Sequence, residues 1–570
     1  MSLRLWPGPA QRRALAEVAG GRRAADLVLR GGALVDVFTD EILEGWGVAA
    51  LGDRVATVGP DAGLPVGPGT EVVELAGRLV APGLVESHTH LVRASLQEQI
   101  AGQVRAGVTT TFVETLEPAF VGGIAAVQAL LAEAATVTGR AFLTLGGLPV
   151  PDRALEARLP EAGRWAPLLD ELLVAGVGEM YWAEVLRGHQ RTEGLVEEAL
   201  RRGLTAEGHG AGARHASLAG LAALGAAADH EGIDAADLRT RLRLGLWAEA
   251  RQGATRQDLD AIAPLWQEGG LDLRRLTFVC DGVEPADLLA GRSLNGVVER
   301  ARDLGLPLPT AIRMASQGPA ERFGVGRWLG GLTPGAFADL VVLPRGGPVR
   351  PELVLVGGRR PAEPAPLERP RIASGVGVAR LDDAVLRALE PGRLRAMRLE
   401  QPTVTREAEV SGEDPLWVIA LDREDSRRAF RGLLLGFGMA RGAVAWSSGW
   451  EAAGPVLAGN SVPDLRAALE RLCQLDGGAV VAGGGRVLAE WAAPITGLLS
   501  PAPLTAVAAQ ARQVGDALHG LGARTPNPLL TLETLTTTAI PFLRITPEGY
   551  YRARDGSRPG LLWEGPAATG

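Results

Sequence analysis

Between Leu79 and Asp281 the chain repeats one pattern: a short apolar run ends in a polar residue and gives way to a helical stretch. Strands that alternate with helices pair in parallel, because each helix returns the chain to the starting edge of the sheet. The expected strands are Leu79–Glu86, Val108–Val113, Ala141–Leu145, Gly176–Gly178, Leu204–Ala206, Ala226–Ala228, Leu242–Leu246 and Leu276–Cys280. Eight such units in about 250 residues predict an α/β fold, a (β/α)8 barrel of the TIM type with its site at the C-terminal strand ends. Helices are expected at Leu195–Arg202 and Ser293–Leu304, with another opening at Thr310–Ala315.

At 570 residues the chain is too long for that barrel alone. Residues 1–23 read as an arm with a short helix from Ala10 to Val18. Short strands follow at Ala25–Arg30, Ala33–Val37, Gly47–Leu51 and Arg54–Val58, the last two joined by a Gly52-Asp53 turn. A second β stretch appears at Gly330–Leu343 and Leu353–Val356. Residues 24–80 and 329–358 are therefore expected to form one small β-sandwich flanking the barrel at 81–328. The Pro-, Arg- and Glu-rich residues 359–372 read as a linker. Residues 373–570 read as a C-terminal α+β domain, with strands Trp417–Ala420 and Ala479–Val481, a helix Asp464–Leu472 and a frayed end from Ser557.

Apolar residues make up 46% and charged residues 22%, and the net charge is −8. That balance suits a soluble globular protein and argues against a nucleic-acid partner. No run approaches ~18 uninterrupted apolar residues, so no membrane span is expected. Two distant cysteines, Cys280 and Cys473, form no disulfide framework, and a cytoplasmic location is expected. Every basic residue other than histidine is arginine; lysine is absent.

The polar residues at the strand ends carry the chemistry. His88 and His90 stand one residue apart, so on an extended strand both imidazoles aim at one point. Glu179, His209, His230 and Asp281 fall at later strand ends. Four imidazoles and two carboxylates are the donors that two divalent ions need. Many barrel hydrolases bridge their ions with a carboxylated lysine; a chain without lysine cannot, and Glu179 is the expected substitute. Glu231 follows His230 and reads as a proton carrier or a support to the ligands. His189, His215 and His519 read as ordinary loop or surface residues, and Cys280 as sheet packing.

These motifs resemble the adenine deaminase branch of the amidohydrolase superfamily. The resemblance runs from Pro82-Gly83-Leu84-Val85-Glu86-Ser87-His88-Thr89-His90 through Gly178-Glu179-Met180, Gly208-His209-Gly210-Ala211-Gly212 and Asp229-His230-Glu231 to Phe278-Val279-Cys280-Asp281. It continues into Pro494-Ile495-Thr496-Gly497 and Leu543-Arg544-Ile545-Thr546. It implies hydrolysis of adenine to hypoxanthine and ammonia by a metal-activated hydroxide, on two divalent ions, manganese or iron, with zinc an alternative. It implies a small adenine-like heterocycle as partner, and a homo-oligomer. His88, His90 and Asp281 are expected to hold one ion, His209 and His230 the other, with Glu179 between them. Asp281 is expected to shuttle the proton, and Glu231 to protonate a ring nitrogen. Three segments depart from the family pattern: Val92-Arg93-Ala94, Glu114-Thr115-Leu116-Glu117 and Trp450-Glu451-Ala452-Ala453-Gly454. They spare the expected ligands and fall where substrate contact or closure is expected. They leave open another aminopurine, an aminopyrimidine or a cyclic amide as substrate, and a non-catalytic relative as a further alternative.

Overall fold

Gly83 splits the first expected strand in two. Leu79–Pro82 pairs with Ala33–Asp36 and Leu340–Leu343, whereas Leu84–Thr89 pairs with Val108–Glu114. A Cβ at Gly83 would overlap the Thr109 side chain, so glycine is what lets the chain pass from one sheet to the other. The computed structural model describes residues 5–147, 149–150, 152–365, 372, 374–387 and 392–564.

The barrel strands are Leu84–Thr89 (β1), Val108–Glu114 (β2), Arg140–Leu145 (β3), Val174–Tyr181 (β4), Thr205–His209 (β5), Ala226–Asp229 (β6), Trp247–Arg251 (β7) and Leu276–Val279 (β8). They pair in parallel and in chain order. β1 and β8 meet at the seam, where the Cys280 N–H donates to Glu86 Oε2 at 3.0 Å and the Asp281 N–H to the His88 carbonyl at 3.3 Å. Burial pushes the Glu86 carboxyl up to about 8, against the hydrogen bonds it accepts.

One expected strand is wrong. Leu242–Leu246 is not β: the helix Ala235–Arg243 runs into it and stops at Gly245, whose φ is 80°. The seventh strand lies one step later and carries Glu249 and Arg251 into the barrel. The helix Leu116–Ala134 is long and apolar enough to cross a membrane by length and composition. Here it breaks at Gly123 and buries half its length in the fold, with Val127 and Leu130 packed inward.

Two sheets flank the barrel. One orders Arg54–Pro60, Trp46–Leu51, Leu27–Arg30 and Glu71–Glu74; the other orders Leu353–Leu355, Leu340–Leu343, Leu79–Pro82, Ala33–Asp36 and Glu41–Glu44. Leu29, Val48, Leu34, Val80 and Leu340 share one core between them. The arm helix Pro9–Ala19 sets Leu15 and Val18 against Val28 and Ala56.

The C-terminal region is built on an eight-stranded sheet. In the strand Leu416–Leu421, Val418 and Ala420 face the core shared with the helix Leu504–Gly520, while Ile419 and Leu421 face the helix Val462–Leu475. The alternation follows from the two-residue period of a strand buried on both faces. The expected frayed end is not frayed in its described part: Leu562 bridges Leu394, and the Trp563 N–H donates to the Arg393 carbonyl. Residues 565–570, residues 366–371 of the expected linker and residues 1–4 of the arm lie outside the described residues.

Candidate metal centre

The barrel strands bring all six expected ligands to one mouth. His88 lies in β1, Glu179 in β4 and His209 at the end of β5; His90, His230 and Asp281 follow β1, β6 and β8. Donor atoms of His88, His90, Glu179 and Asp281 all lie within 4.8 Å of one another, and those of Glu179, His209 and His230 do likewise. Glu179 belongs to both groups. Its Oε1 is 3.4 Å from His88 Nε2, 3.5 Å from His90 Nε2, 3.1 Å from His230 Nε2 and 3.9 Å from His209 Nε2. Asp281 Oδ1 is 3.2 Å from His88 Nε2 and 3.4 Å from His90 Nε2. Five of the six side chains are less than 6% exposed and the sixth, His209, 7%.

Backbone details set these positions. Glu114 Oε2 accepts the Glu179 N–H at 2.9 Å, and Gly178 leaves the space, since a Cβ there would overlap the Glu114 carboxylate. Asp281 adopts φ 58°, a left-handed conformation that turns its carboxylate back over β1. Its Oδ2 accepts from Arg251 at 2.7 Å and Thr255 at 2.9 Å.

The donor set fits metal ions. Two ligands about 2.1 Å from a tetrahedral ion stand about 3.4 Å apart, close to the nitrogen–oxygen distances of 3.1–3.5 Å found here. His230 Nε2 is buried, faces Glu179, and has no hydrogen-bond partner among the described residues. A buried polar atom left in that state is costly unless something binds it. The cluster has the donor types and the spacing that a metal centre needs.

Without metal, protons take the ions' place. Burial works against a charge on His88 and His90, yet Glu207, Asp281 and Glu179 around the first, and Glu117 and Glu179 around the second, hold both imidazoles well above their ordinary pKa. His230 is raised to about 9, with Glu179 and Glu207 overcoming burial and the neighbouring His88. Burial opposes ionisation of Glu179 and Asp281 as well, but His209 and His90 hold the first, and Arg251 and His88 the second, well below the usual carboxylate range. Raised imidazoles stabilise the metal-free fold below about pH 6.5, and that stability is lost as pH climbs through the folded values, about 9 for His230. Metal binding displaces those protons, so added Mn2+ should raise the melting temperature little at pH 6 and progressively more towards pH 9. Thermal melts of chelator-treated protein with and without Mn2+ check this; a shift that shrinks as pH rises contradicts it.

Several residues of the site were not among the expected site residues. Glu207 touches Nδ1 of both His88 and His230, at 3.2 and 3.6 Å. Arg322 pairs with Glu207 at 2.9 Å and Glu249 at 2.5 Å. Arg251 joins Asp281 to Glu231, which it meets at 2.6 Å. Arg251 and Arg256 hold Glu231 ionised despite its burial, with its pKa far below the usual range.

The three departing segments separate into two jobs. Glu117 accepts from His90 Nδ1 at 2.7 Å, and Trp450 lies parallel to the His90 ring with centroids 5.3 Å apart. Trp450 and Glu451 wall a cavity of about 810 Å3 whose floor is Glu179, His209, Glu231 and Asp281. Arg93 instead binds Glu284 of the barrel and Glu533 of the C-terminal region. It ties the two parts together, and its side chain makes no hydrogen bond to the expected ligands among the described residues.

Residues 79–360 match the amidohydrolase family, and residues 395–557 match the adenine deaminase C-terminal domain. A curated adenine deaminase of Rubrobacter xylanophilus is 33% identical, with 97% of this chain and 98% of that protein aligned. The adenine deaminase of Moorella thermoacetica is 32% identical over 94% of this chain and 96% of that protein. That of Cenarchaeum symbiosum is 31% identical over 95% and 93%.

Proposed function

We infer that this chain, which belongs to the adenine deaminase family, hydrolyses adenine to hypoxanthine and ammonia. One observation carries the reading beyond the family: six buried donors, shared through Glu179, converge on the floor of a cavity large enough for a purine. His88, His90 and Asp281 would hold one divalent ion and His209 and His230 the other, with Glu179 reaching both. Mixed imidazole and carboxylate donors suit manganese or ferrous iron, with zinc as the alternative. Such ions supply a water acidic enough to attack carbon at neutral pH.

The chain's own residues do the rest. Asp281, held ionised, takes a proton from the attacking water and returns it to the departing amine. One C–O bond forms at the amine-bearing carbon, the C–N bond breaks, and ammonia leaves with the proton. Arg251 and Thr255 keep Asp281 Oδ2 fixed, so the other oxygen faces the reacting atoms. Glu231, also ionised, serves as a hydrogen-bond acceptor. Glu117 accepts a hydrogen bond from the Nδ1–H of His90, which leaves the Nε2 lone pair facing the site. The flat face of Trp450 beside the ligands suits a planar heterocycle.

Incubation of Mn2+-loaded protein with adenine should consume adenine and release ammonia in equal amounts. Absence of ammonia from protein shown to carry its metal overturns the reading. Because Trp450 and Glu451 replace the family's usual residues on the cavity wall, other aminopurines, aminopyrimidines and cyclic amides belong in the same assay. Faster turnover of one of them would move the substrate while leaving the chemistry in place.

A further inference from the structure

Beneath the ligands the barrel holds a carboxylate that the proton transfers do not use. Glu207 sits on β5, beside Glu179 in the parallel ladder, with its side chain 2% exposed. Its Oε1 lies 3.2 Å from His88 Nδ1 and 3.6 Å from His230 Nδ1. Those two imidazoles are stacked, centroids 4.1 Å apart and planes within 17°. On their opposite edges, His88 Nε2 faces Asp281 at 3.2 Å and His230 Nε2 faces Glu179 at 3.1 Å. In the two-ion reading above, on which this inference rests, the stacked rings serve different ions.

A neutral imidazole donates from one nitrogen and offers a lone pair on the other. A carboxylate can only accept, and Glu207 stands at ion-pair distance from both Nδ1 atoms, the 3.6 Å to His230 being beyond a direct hydrogen bond, so its charge favours the proton on Nδ1 of each ring and leaves both Nε2 lone pairs facing the centre. Glu207 cannot drift away from this role. Arg322 holds its other oxygen at 2.9 Å, and Arg322 is itself fixed by Glu249 at 2.5 Å and the Ser87 carbonyl at 3.1 Å. Ser87 Oγ closes the ring on Glu249 at 2.7 Å. Glu117 is the contrast: it reaches the Nδ1 of His90 alone, at 2.7 Å.

We propose that Glu207 is a positioning residue for both ions at once: a single carboxylate orients one histidine of each, and so links their binding. Supporting partners of this kind typically change metal affinity by about 10–100-fold. Glu207→Gln should therefore weaken both ions by that factor, and Glu117→Gln only one of them. The test is calorimetric titration of chelated, refolding-competent protein with Mn2+, together with metal content after gel filtration, on wild type and each variant well below its melting temperature. A purely structural role would shift the melting temperature and leave both stepwise affinities in place. The glutamine variant still leaves Arg322 paired with Glu249, so the floor keeps its ion pair. Glu207→Asp, which preserves the charge and draws the oxygens back by one methylene, carries the same expectation if the glutamine variant does not fold. Wild-type protein that takes up fewer than two ions overturns the two-ion reading. Two ions in wild type, with either one bound at unchanged affinity in both Glu207 variants, overturns the linking role alone.

Discussion

Asp281→Asn should remain folded, keep its metal and lose turnover. Asparagine has the volume of aspartate and tolerates the left-handed φ of 58° that this position requires. Its amide oxygen can still face His88 and His90. What it cannot do is take a proton from water and hand it on. General acid–base transfer of this kind contributes about 10²–10⁴-fold, and one group serves both steps here, so kcat should fall by on the order of 10⁴. The new amide N–H then faces Arg251 in place of an acceptor, which costs some stability, but Arg251 keeps Glu231 at 2.6 Å and Thr255 can turn to accept, so the guanidinium is not stranded. Steady-state rates on protein with measured metal content decide the matter. A variant with wild-type kcat would remove Asp281 from the proton path and leave Glu231 as the remaining ionised carboxylate on the cavity floor.

The convergence of the six side chains was legible because metal chemistry restricts residue types. His88 and His90 need one face of a strand, and histidine is scarce in this chain, with seven in all. The strand that was misread shows why the rest was not legible. Leu242-Arg243-Leu244-Gly245-Leu246 alternates like a half-buried strand, yet it is a helix end whose leucines pack sideways. The true strand, Trp247-Ala248-Glu249-Ala250-Arg251, alternates with charges, and a charge inside a barrel breaks the apolar pattern that marks strands in sequence. Glu207 and Arg322 were hidden for the same reason. Glu321-Arg322 puts two charges side by side at the end of a short helix, but Arg322 is 4% exposed and lies beneath the ligands. A polar floor can be recognised only when the charges that neutralise each other are known to be neighbours, and β5, β7 and the helix Gln317–Arg322 lie far apart along the chain.

The departing segments teach a related lesson. Their position in the sequence suggested contact with substrate, and two of them do line the site. Arg93 does something that local sequence cannot encode. It is 3% exposed, and its guanidinium meets Glu533 at 2.6 and 2.9 Å and Glu284 at 3.1 and 3.2 Å. Those carboxylates lie 440 and 191 residues away in the chain. Ser448, two residues before Trp450, bonds the same Glu533. The cavity wall and the junction between barrel and C-terminal region therefore share one anchor.

Arg93→Met tests that anchor by keeping the volume and removing the charge. Glu533, which is buried, and Glu284, which is partly exposed and still accepts from Asn527, would then face each other without a cation. Breaking a buried pair in this way costs about 3–5 kcal/mol, or on the order of 10 °C in melting temperature for a unit of this size. The pH dependence separates this cause from lost packing. In the wild type, Arg93 outweighs burial and lowers the pKa of Glu284, so that group adds stability above about pH 4.5 and loses it in acid. Burial already holds Glu533 above its ordinary value in the wild type, against Arg93; in the variant it should rise further and Glu284 should rise above its own, so the folded form binds still more protons than the unfolded chain and its stability increases as pH falls. The deficit against wild type should be largest near pH 8 and shrink towards pH 5. Loosening of Glu533 also frees Ser448, so Trp450 loses its place beside His90 and KM should rise alongside the stability loss. A deficit below about 1 kcal/mol, or one that does not change with pH, would mean that apolar contacts such as Leu504 against Leu288 hold the junction and that the arginine is incidental.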